Sequence, residues 1–243
     1  MRPTGTLCEP GLSALGIPHG FGQRGSPVPA GVVRPRQVHG CGVLRAGVGS
    51  AGAGQLGPAD ALLTTEAGCR IGVVTADCVP VLLASAGGTA VAAIHAGWRG
   101  LAAGVVEAGV RALAEVVPGE RLHAAVGPCI GPCCYEVDAP VVEALAAHFS
   151  DRLEPALRSS RPGHWKLDLV GLALSALRDS GLATARLGLL RPRQPGRAPR
   201  GSAASAFCTC CDERFESHRR DGSRAGRMLH WISPRLDTTR VRS

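Results

Sequence analysis

Three side chains of types that bind metals stand at the ends of short apolar runs. His39 lies in RQVHG, Cys78 in TADCVP and His95 in AIHAGWRG. Strand ends beside Gly or Pro turns are where a fold exposes reactive groups from a rigid base. Two imidazoles and a thiolate suit Zn²⁺, and three protein ligands leave a fourth position open for water or substrate. These residues therefore make a candidate open zinc site.

Other uses of the same residues stay open, because no local ligand motif spans them. Cys78 also suits packing as a small buried residue, with each histidine satisfying a local hydrogen bond. A third use makes Cys78 a nucleophile activated by His95 or His39. Sequence spacing alone does not decide among these alternatives.

Four arginines and a glutamine are candidates for binding substrate or phosphate. Arg99, in GWRG, precedes a predicted helix, whose N-terminal N–H groups and dipole attract anions. Arg219 and Arg220 in SHRRDG form a second basic cluster, and Arg24 in GFGQRG is a weaker candidate. Gln37, in RQVHG, completes the set. The alternative for each arginine is a solvated surface position.

Two acids lie nearest these motifs and are candidate catalytic residues, Asp77 and Glu136. If Asp77 lies in a strand, it points away from Cys78 and acts through neighbouring groups. Two cysteine groups, around residues 129–134 and 208–211, are candidates for a structural zinc site.

Composition predicts a globular chain with one domain over residues 1–243. Hydrophobic residues make up 45% of the chain and aromatic residues only 3%, so a broad aromatic platform for stacking bases is not expected. The net charge of +8 is concentrated after residue 190. We interpret this basic tail as a solvated surface, which makes nucleic acid an unfavoured partner.

The ten cysteines and the lack of a signal-peptide pattern predict a reducing, cytoplasmic location with free thiols. Residues 79–98 carry no formal charge, but they include Pro80 and the pair Gly87-Gly88. Two buried strands joined at this glycine pair explain the segment better than a membrane span does.

Periodicity predicts interleaved strands and helices. Strands are expected around Val38, over 71–74 before a polar break at 75–78, after Pro80, and over 90–95 and 123–126. Helices are expected over 99–117, 139–149 and 167–180, with a Pro/Arg/Gly/Ala linker at 191–206. The fold class is therefore mixed α/β, in the α+β sense.

Taken together, RQVHG, TADCVPVLLA, AIHAGWRG, GPCIGPCCYEV and SHRRDG occur in one order over residues 34–228. This set resembles the YfiH/YlmD-like family of laccase-domain proteins, known as polyphenol oxidases and as purine nucleoside phosphorylases. The resemblance implies central β-sheets flanked by helices, and zinc on His39, Cys78 and His95. It also implies phosphorolysis of adenosine, inosine and methylthioadenosine, with adenosine deamination as a further activity. Because residues 79–98 are interpreted as two strands, no membrane partner is expected.

One departure from the family and three competing hypotheses accompany this resemblance. The segment between His19-Gly20-Phe21 and RQVHG is shorter than in the relatives, so part of the substrate pocket is expected to be missing or rebuilt.

A copper polyphenol oxidase is disfavoured, because the sequence has no His-x-His pair. A Cys78-dependent hydrolase or amidase, acting in peptidoglycan editing, is the main alternative. The third is an arginine-tailed binding module for RNA or acidic partners, which would be supported if deletion of residues 191–243 left the rest folded. The motif SHRRDG argues against it, because it ties the tail to the family core.

Overall fold

The computed structural model describes residues 5–50, 54–183, 187–190 and 207–236. Its helices are α1 (Pro10–Ala14), α2 (Trp98–Ala102), α3 (Val105–Val116), α4 (Ala139–Phe149), α5 (Leu169–Asp179) and α6 (His218–Asp221). Its strands are β1 (His19–Phe21), β2 (Val32–Arg36), β3 (Val43–Arg45), β4 (Gln55–Pro58), β5 (Ala61–Thr64), β6 (Arg70–Thr75), β7 (Val79–Ser85), β8 (Val91–Ala96), β9 (Leu122–Val126), β10 (Glu136–Asp138), β11 (Leu157–Arg161), β12 (His164–Leu167), β13 (Leu187–Leu189) and β14 (Met228–Ile232). The α+β class is confirmed.

The central layer is a six-stranded sheet in the order β13-β9-β7-β8-β5-β3. All seven residues of β7 are buried, because both faces of this sheet are covered. Val81 and Leu83 pack in the cluster that includes α3 and α5, whereas Leu82 and Ala84 pack in a second cluster on the opposite face. This alternation follows from the two-residue period of a strand.

The second face of the central sheet packs against a five-stranded sheet in the order β1-β14-β6-β2-β4. A smaller sheet, β10-β12-β11, contributes Val137 and Leu167 to the same hydrophobic cluster as the first face of the central sheet. Strand β14 pairs antiparallel with β1 on one side and with β6 on the other. This position counts against the binding-module hypothesis, because deletion of residues 191–243 would remove a strand from inside the sheet.

Several predicted elements are confirmed within this frame. β7 and β8 form an antiparallel hairpin in which Pro80 faces His95, and Gly88 takes the positive φ of +72° that its turn requires. The predicted helices 139–149 and 167–180 correspond to α4 and α5. In the described part of the chain, no helix is long and apolar enough to cross a membrane.

Two predicted elements differ in their bounds, and one falls outside the description. The helix expected over 99–117 is divided into α2 and α3, because Gly104 adopts a left-handed φ of +77° between them. The strand expected around Val38 ends at Arg36, and Val38 itself is 49% exposed. The linker predicted at 191–206 lies outside the described residues.

Candidate functional site

His39, Cys78 and His95 converge, and we call them the triad. Their ligand atoms all lie within 4.8 Å of one another, and the two imidazole rings meet edge to face with centroids 4.8 Å apart. His95 lies near the end of β8, Cys78 directly precedes β7, and His39 follows β2 in a loop. The β7–β8 pairing brings Cys78 and His95 together although 16 residues lie between them in the sequence.

The loop that carries His39 is held by a buried carboxylate. Asp60 is fully buried, and its oxygens accept hydrogen bonds from the backbone N–H groups of Val38, His39 and Gly40 at 3.2, 2.9 and 2.7 Å. They also accept a 2.8 Å bond from Nδ1 of His95. One carboxylate thereby positions two of the three triad members. Sequence reasoning missed Asp60, although a lone acid ahead of the apolar run ALLT is a signal for it.

The protonation of the site follows from these contacts. Burial alone would raise the pKa of Asp60, but the bonds from His95, Gly40 and Val38 outweigh it and lower this pKa below its usual value. Burial would also raise the pKa of Cys78, but hydrogen bonds to His39 and His95 lower it to about 7. Burial opposes the charge on His95, yet its bonds to Asp60 and Cys78 raise its pKa to about 9.

This arrangement fits a divalent metal ion such as Zn²⁺. Asp60 binds Nδ1 of His95, which leaves Nε2 as the ring nitrogen available for a ligand bond. A thiol with a lowered pKa is already disposed to lose its proton, as ligation requires. The donor set, two nitrogens and one sulfur, is one that zinc prefers. A carboxylate behind a ligating histidine is the usual outer partner of such sites.

Two features of the backbone allow the three side chains of the triad to approach one another closely. His39 adopts a φ of +60°, a left-handed conformation that Asp60 fixes through the neighbouring N–H groups. Gly97 lies opposite, where an added Cβ would stand 3.0 Å from Sγ of Cys78 and 3.3 Å from His39. A larger residue at position 97 would therefore push against two triad members.

The triad opens into a cleft of about 480 Å³. Gln37 lies in its wall, with its amide paired to the backbone N–H and C=O of Val74 at 2.8 Å each, so it fixes the loop onto β6. The polar side chains of the cleft that sequence reasoning missed are Arg34, Arg36, Gln55, Thr75, His218 and Arg227. The arginines gave no signal because they come from separate segments in an arginine-rich chain.

Asp77, which the sequence made a catalytic candidate, positions the segment that carries His218. Its carboxylate accepts bonds of 2.6 Å from Oγ1 of Thr209 and from the backbone N–H of Arg219. It lies outside any strand and has a φ of +98°. The premise that Asp77 lies in a strand is therefore wrong, and the hydrogen bonds of its carboxylate go to Thr209 and to the backbone of Arg219.

Arg220 and Arg24, predicted to bind phosphate, are engaged elsewhere. The guanidinium of Arg220 donates to the carbonyls of Thr209 and Phe215 at 2.8 Å and pairs with Asp221. Arg24 pairs with the same carboxylate at 3.0 Å. Neither arginine lines the cleft of the triad. Their contacts instead hold residues 209–221 in place.

Glu136 and Arg219 lie in a separate hollow of about 330 Å³ that also includes His164. Bonds from Ser160 and Arg161 lower the pKa of Glu136 to about 2. Glu136 is therefore ionised near neutral pH, which argues against it as a proton donor. It also does not line the cleft of the triad.

The remaining basic candidates are held by aromatic rings. Arg219 stacks over the ring of Tyr135 at 5.1 Å and donates to the carbonyl of Glu136. Arg99 stacks over Trp98 at 4.3 Å. Arg99 lines neither the cleft nor the hollow.

The fold and the triad define a mixed α+β protein with two imidazoles and a thiol that could hold a metal ion at the end of a hairpin. The model of the family described as "Multi-copper polyphenol oxidoreductase laccase" matches residues 23–235. The chain belongs to this family, which includes the proteins YlmD and YfiH.

Named relatives add detail to this assignment. A purine nucleoside phosphorylase of Xylella fastidiosa is 40% identical over 202 residues, covering 81% of this chain and 70% of the relative. An adenosine deaminase from an unknown prokaryotic organism is 35% identical over 213 residues, covering 83% and 74%. The crystal structure of YlmD from Geobacillus stearothermophilus superposes with a TM-score of 0.70 at 30% identity, covering 85% of this chain and 74% of that one.

Proposed function

We propose that this protein is a zinc-dependent purine nucleoside phosphorylase whose metal ligands are His39, Cys78 and His95. The observation that carries the proposal is the position of the triad inside a cleft that also holds three arginines. A volume of about 480 Å³ lies within the ordinary range for small-molecule sites. The names of the relatives supply the substrate class, which the geometry does not specify.

Phosphorolysis needs an anion held against the sugar. In the reaction, a phosphate oxygen bonds to C1′ while the C1′–N9 bond breaks, and the bonding electron pair leaves with the purine. Arg34, Arg36 and Arg227 line the cleft, and guanidinium groups bind phosphate through paired N–H donors. These three arginines replace the four proposed from sequence as the first candidates for holding phosphate.

A zinc ion with three protein ligands supplies a Lewis acid and an activated water at its open position. The protein residues then orient the nucleoside and carry the proton that the departing purine takes up. His218 is suited to this transfer, because it is the only imidazole in the described wall of the cleft outside the triad. Asp77 acts indirectly, by holding the backbone beside His218.

Substrates of the proposed reaction are adenosine, inosine and methylthioadenosine. The adenosine deaminase among the relatives supports a further activity, in which water replaces the amino group at C6 of adenosine. The two activities differ in their co-substrate, since deamination consumes water and phosphorolysis consumes phosphate. Phosphate dependence therefore separates them in one assay.

The test is product analysis on the full chain, with and without phosphate. Inosine is expected to give hypoxanthine and ribose 1-phosphate only when phosphate is present, and activity is expected to fall on chelation and return with Zn²⁺. Release of hypoxanthine that does not depend on phosphate, or no turnover of any purine nucleoside by the zinc-loaded protein, would overturn the proposal.

A second candidate is a Cys78-dependent hydrolase or amidase. The lowered pKa of Cys78 beside His95 favours it, because a thiolate next to an imidazole is a common nucleophile. It requires activity in metal-free protein and its loss on alkylation of Cys78. Copper oxidase chemistry gains no comparable support, since the triad holds two histidines and the sequence has no His-x-His pair.

A further inference from the structure

A second group of metal-binding side chains lies away from the triad. Cys133 and Cys134 follow β9 in a turn, whereas Cys208 and Cys211 precede α6, and we call these four residues the cysteine cluster. Their sulfur atoms all lie within 4.8 Å of one another. Sγ of Cys211 is 3.2 Å from Sγ of Cys134 and 3.5 Å from Sγ of Cys133.

These separations match a tetrahedral thiolate site. With Zn–S bonds of about 2.3 Å, the sulfur atoms of a tetrahedron stand about 3.8 Å apart. Cys208 and Cys211 also have the C-x-x-C spacing of structural zinc ligands. Sequence reasoning proposed structural zinc among six cysteines here but overlooked this pair.

Burial does not explain the cluster. Cysteines that act as small apolar residues are buried, as Cys69 and Cys129 are here. In the cluster, Cys133 and Cys211 are exposed and the other two are only partly covered. Four thiols that meet at the surface gain little from apolar packing, but they can all bind one soft cation.

The backbone around the cluster is already ordered. The N–H of Gly131 donates to Sγ of Cys208 at 3.2 Å, and such bonds favour a thiolate acceptor. Cys208 of the cluster forms a parallel β-bridge with Cys129, which precedes the other ligand pair in the chain. The N–H of Thr209 also donates a 3.0 Å hydrogen bond to the carbonyl of Cys129. Main-chain bonds thus bring the two ligand pairs together.

We infer that the cysteine cluster is a structural zinc site that fastens the segment 207–221 to the turn after β9. Four protein ligands fill a tetrahedron and leave no open position, so the site is closed to substrate. Its effect on the cleft is indirect, since this segment carries His218. The site is separate from the triad and does not depend on the proposed reaction.

Metal content of the purified full chain tests the inference. We expect about two zinc ions per chain, one of them at the triad as proposed above, and about one after the double substitution Cys208→Ser/Cys211→Ser. The matched control is Cys210→Ser, which lies in the same segment but outside the cluster, and it should retain both ions. A double variant that keeps both ions, or a control that loses one, would overturn this ligand set.

A second measurement avoids altering the cluster. In the double variant Cys78→Ala/His95→Ala, zinc X-ray absorption should show four sulfur neighbours at about 2.3 Å. No zinc, a shell that includes nitrogen or oxygen, or a disulfide between Cys134 and Cys211 would each overturn the inference. Because no turnover is measured, failure here is distinct from failure of the proposed phosphorylase activity.

Discussion

The triad and the cysteine cluster are both groups of side chains that could hold a metal ion, but they are built in opposite ways. Cys78 and His95 lie at the ends of paired strands, and the buried carboxylate of Asp60 holds His39 and His95 from behind. Cluster members lie in two surface turns joined by main-chain bonds. The triad faces a cleft of about 480 Å³, whereas no cysteine of the cluster lines that cleft or the hollow beside Glu136.

The number of ligands in each group and its position relative to the cleft lead us to expect different roles for the two sites. Three ligands beside a cleft leave a position for chemistry, and four ligands at a junction of segments leave none. Substitutions in the triad should therefore change activity most, and substitutions in the cluster should change stability most. The following predictions test this division from the largest expected effect to the smallest.

Loss of a triad ligand is expected to have the largest effect. Cys78→Ala should lower the rate of inosine phosphorolysis by roughly 10³-fold, because metal stabilisation of charge contributes several kcal/mol and each 1.36 kcal/mol is tenfold in rate. Steady-state assays measure this, with the exposed Cys41→Ala as the control. Activity close to that of the unaltered protein would remove the triad from the reaction.

Replacing the proposed proton donor should have the next largest effect. His218→Gln is expected to lower kcat by about 10²-fold with little change in KM, since general acid catalysis typically contributes at least this much. The control is His164→Gln, which lies in the separate hollow. An unchanged kcat, or equal losses in both variants, would assign the proton transfer elsewhere.

Asp60→Asn tests whether the carboxylate behind the triad tunes its metal. The amide cannot accept every N–H that Asp60 now accepts, so His39 and His95 lose part of their orientation. Metal affinity should fall by about 10–100-fold, as measured by competition with a chelator. Rescue of activity by added zinc distinguishes this positioning role from simple unfolding, which zinc would not reverse.

Loss of the cluster should appear mainly as lower stability. Cys208→Ser/Cys211→Ser should lower Tm by about 5–10 °C, because the bound metal contributes to the free energy of unfolding. In a chain of this size, each kcal/mol lost from that free energy lowers Tm by roughly 2–4 °C. Calorimetry compares the double variant with Cys210→Ser, which should melt like the unaltered protein. At temperatures where the variant stays folded, activity should change by less than about threefold. If the double variant lost as much activity as Cys78→Ala, the proposed difference in role between the two sites would be contradicted.

The sequence predicted the hairpin because strongly apolar runs fix β7 and β8, which position Cys78 and His95. Residue types left several uses of the triad open, and the resemblance to the family favoured a zinc site. The sequence did not predict Asp60, because the only signal for this residue is a lone acid ahead of the apolar run ALLT, and this does not reveal what the carboxylate contacts. The arginines of the cleft were also missed, since only the fold brings Arg34 and Arg227 to one wall. Asp77, Arg24 and Arg220 are polar residues near the motifs, but their hydrogen bonds go to the segment they hold.

The division between an open and a closed metal site can be observed directly in one experiment. A crystal of the full-length protein, measured on both sides of the zinc absorption edge, should give two anomalous peaks. One is expected among His39, Cys78 and His95, and the other among the four sulfur atoms of the cysteine cluster. An open coordination position is expected at the first peak only. No peak at the triad, or a triad ion closed by a fourth protein ligand, would contradict the account.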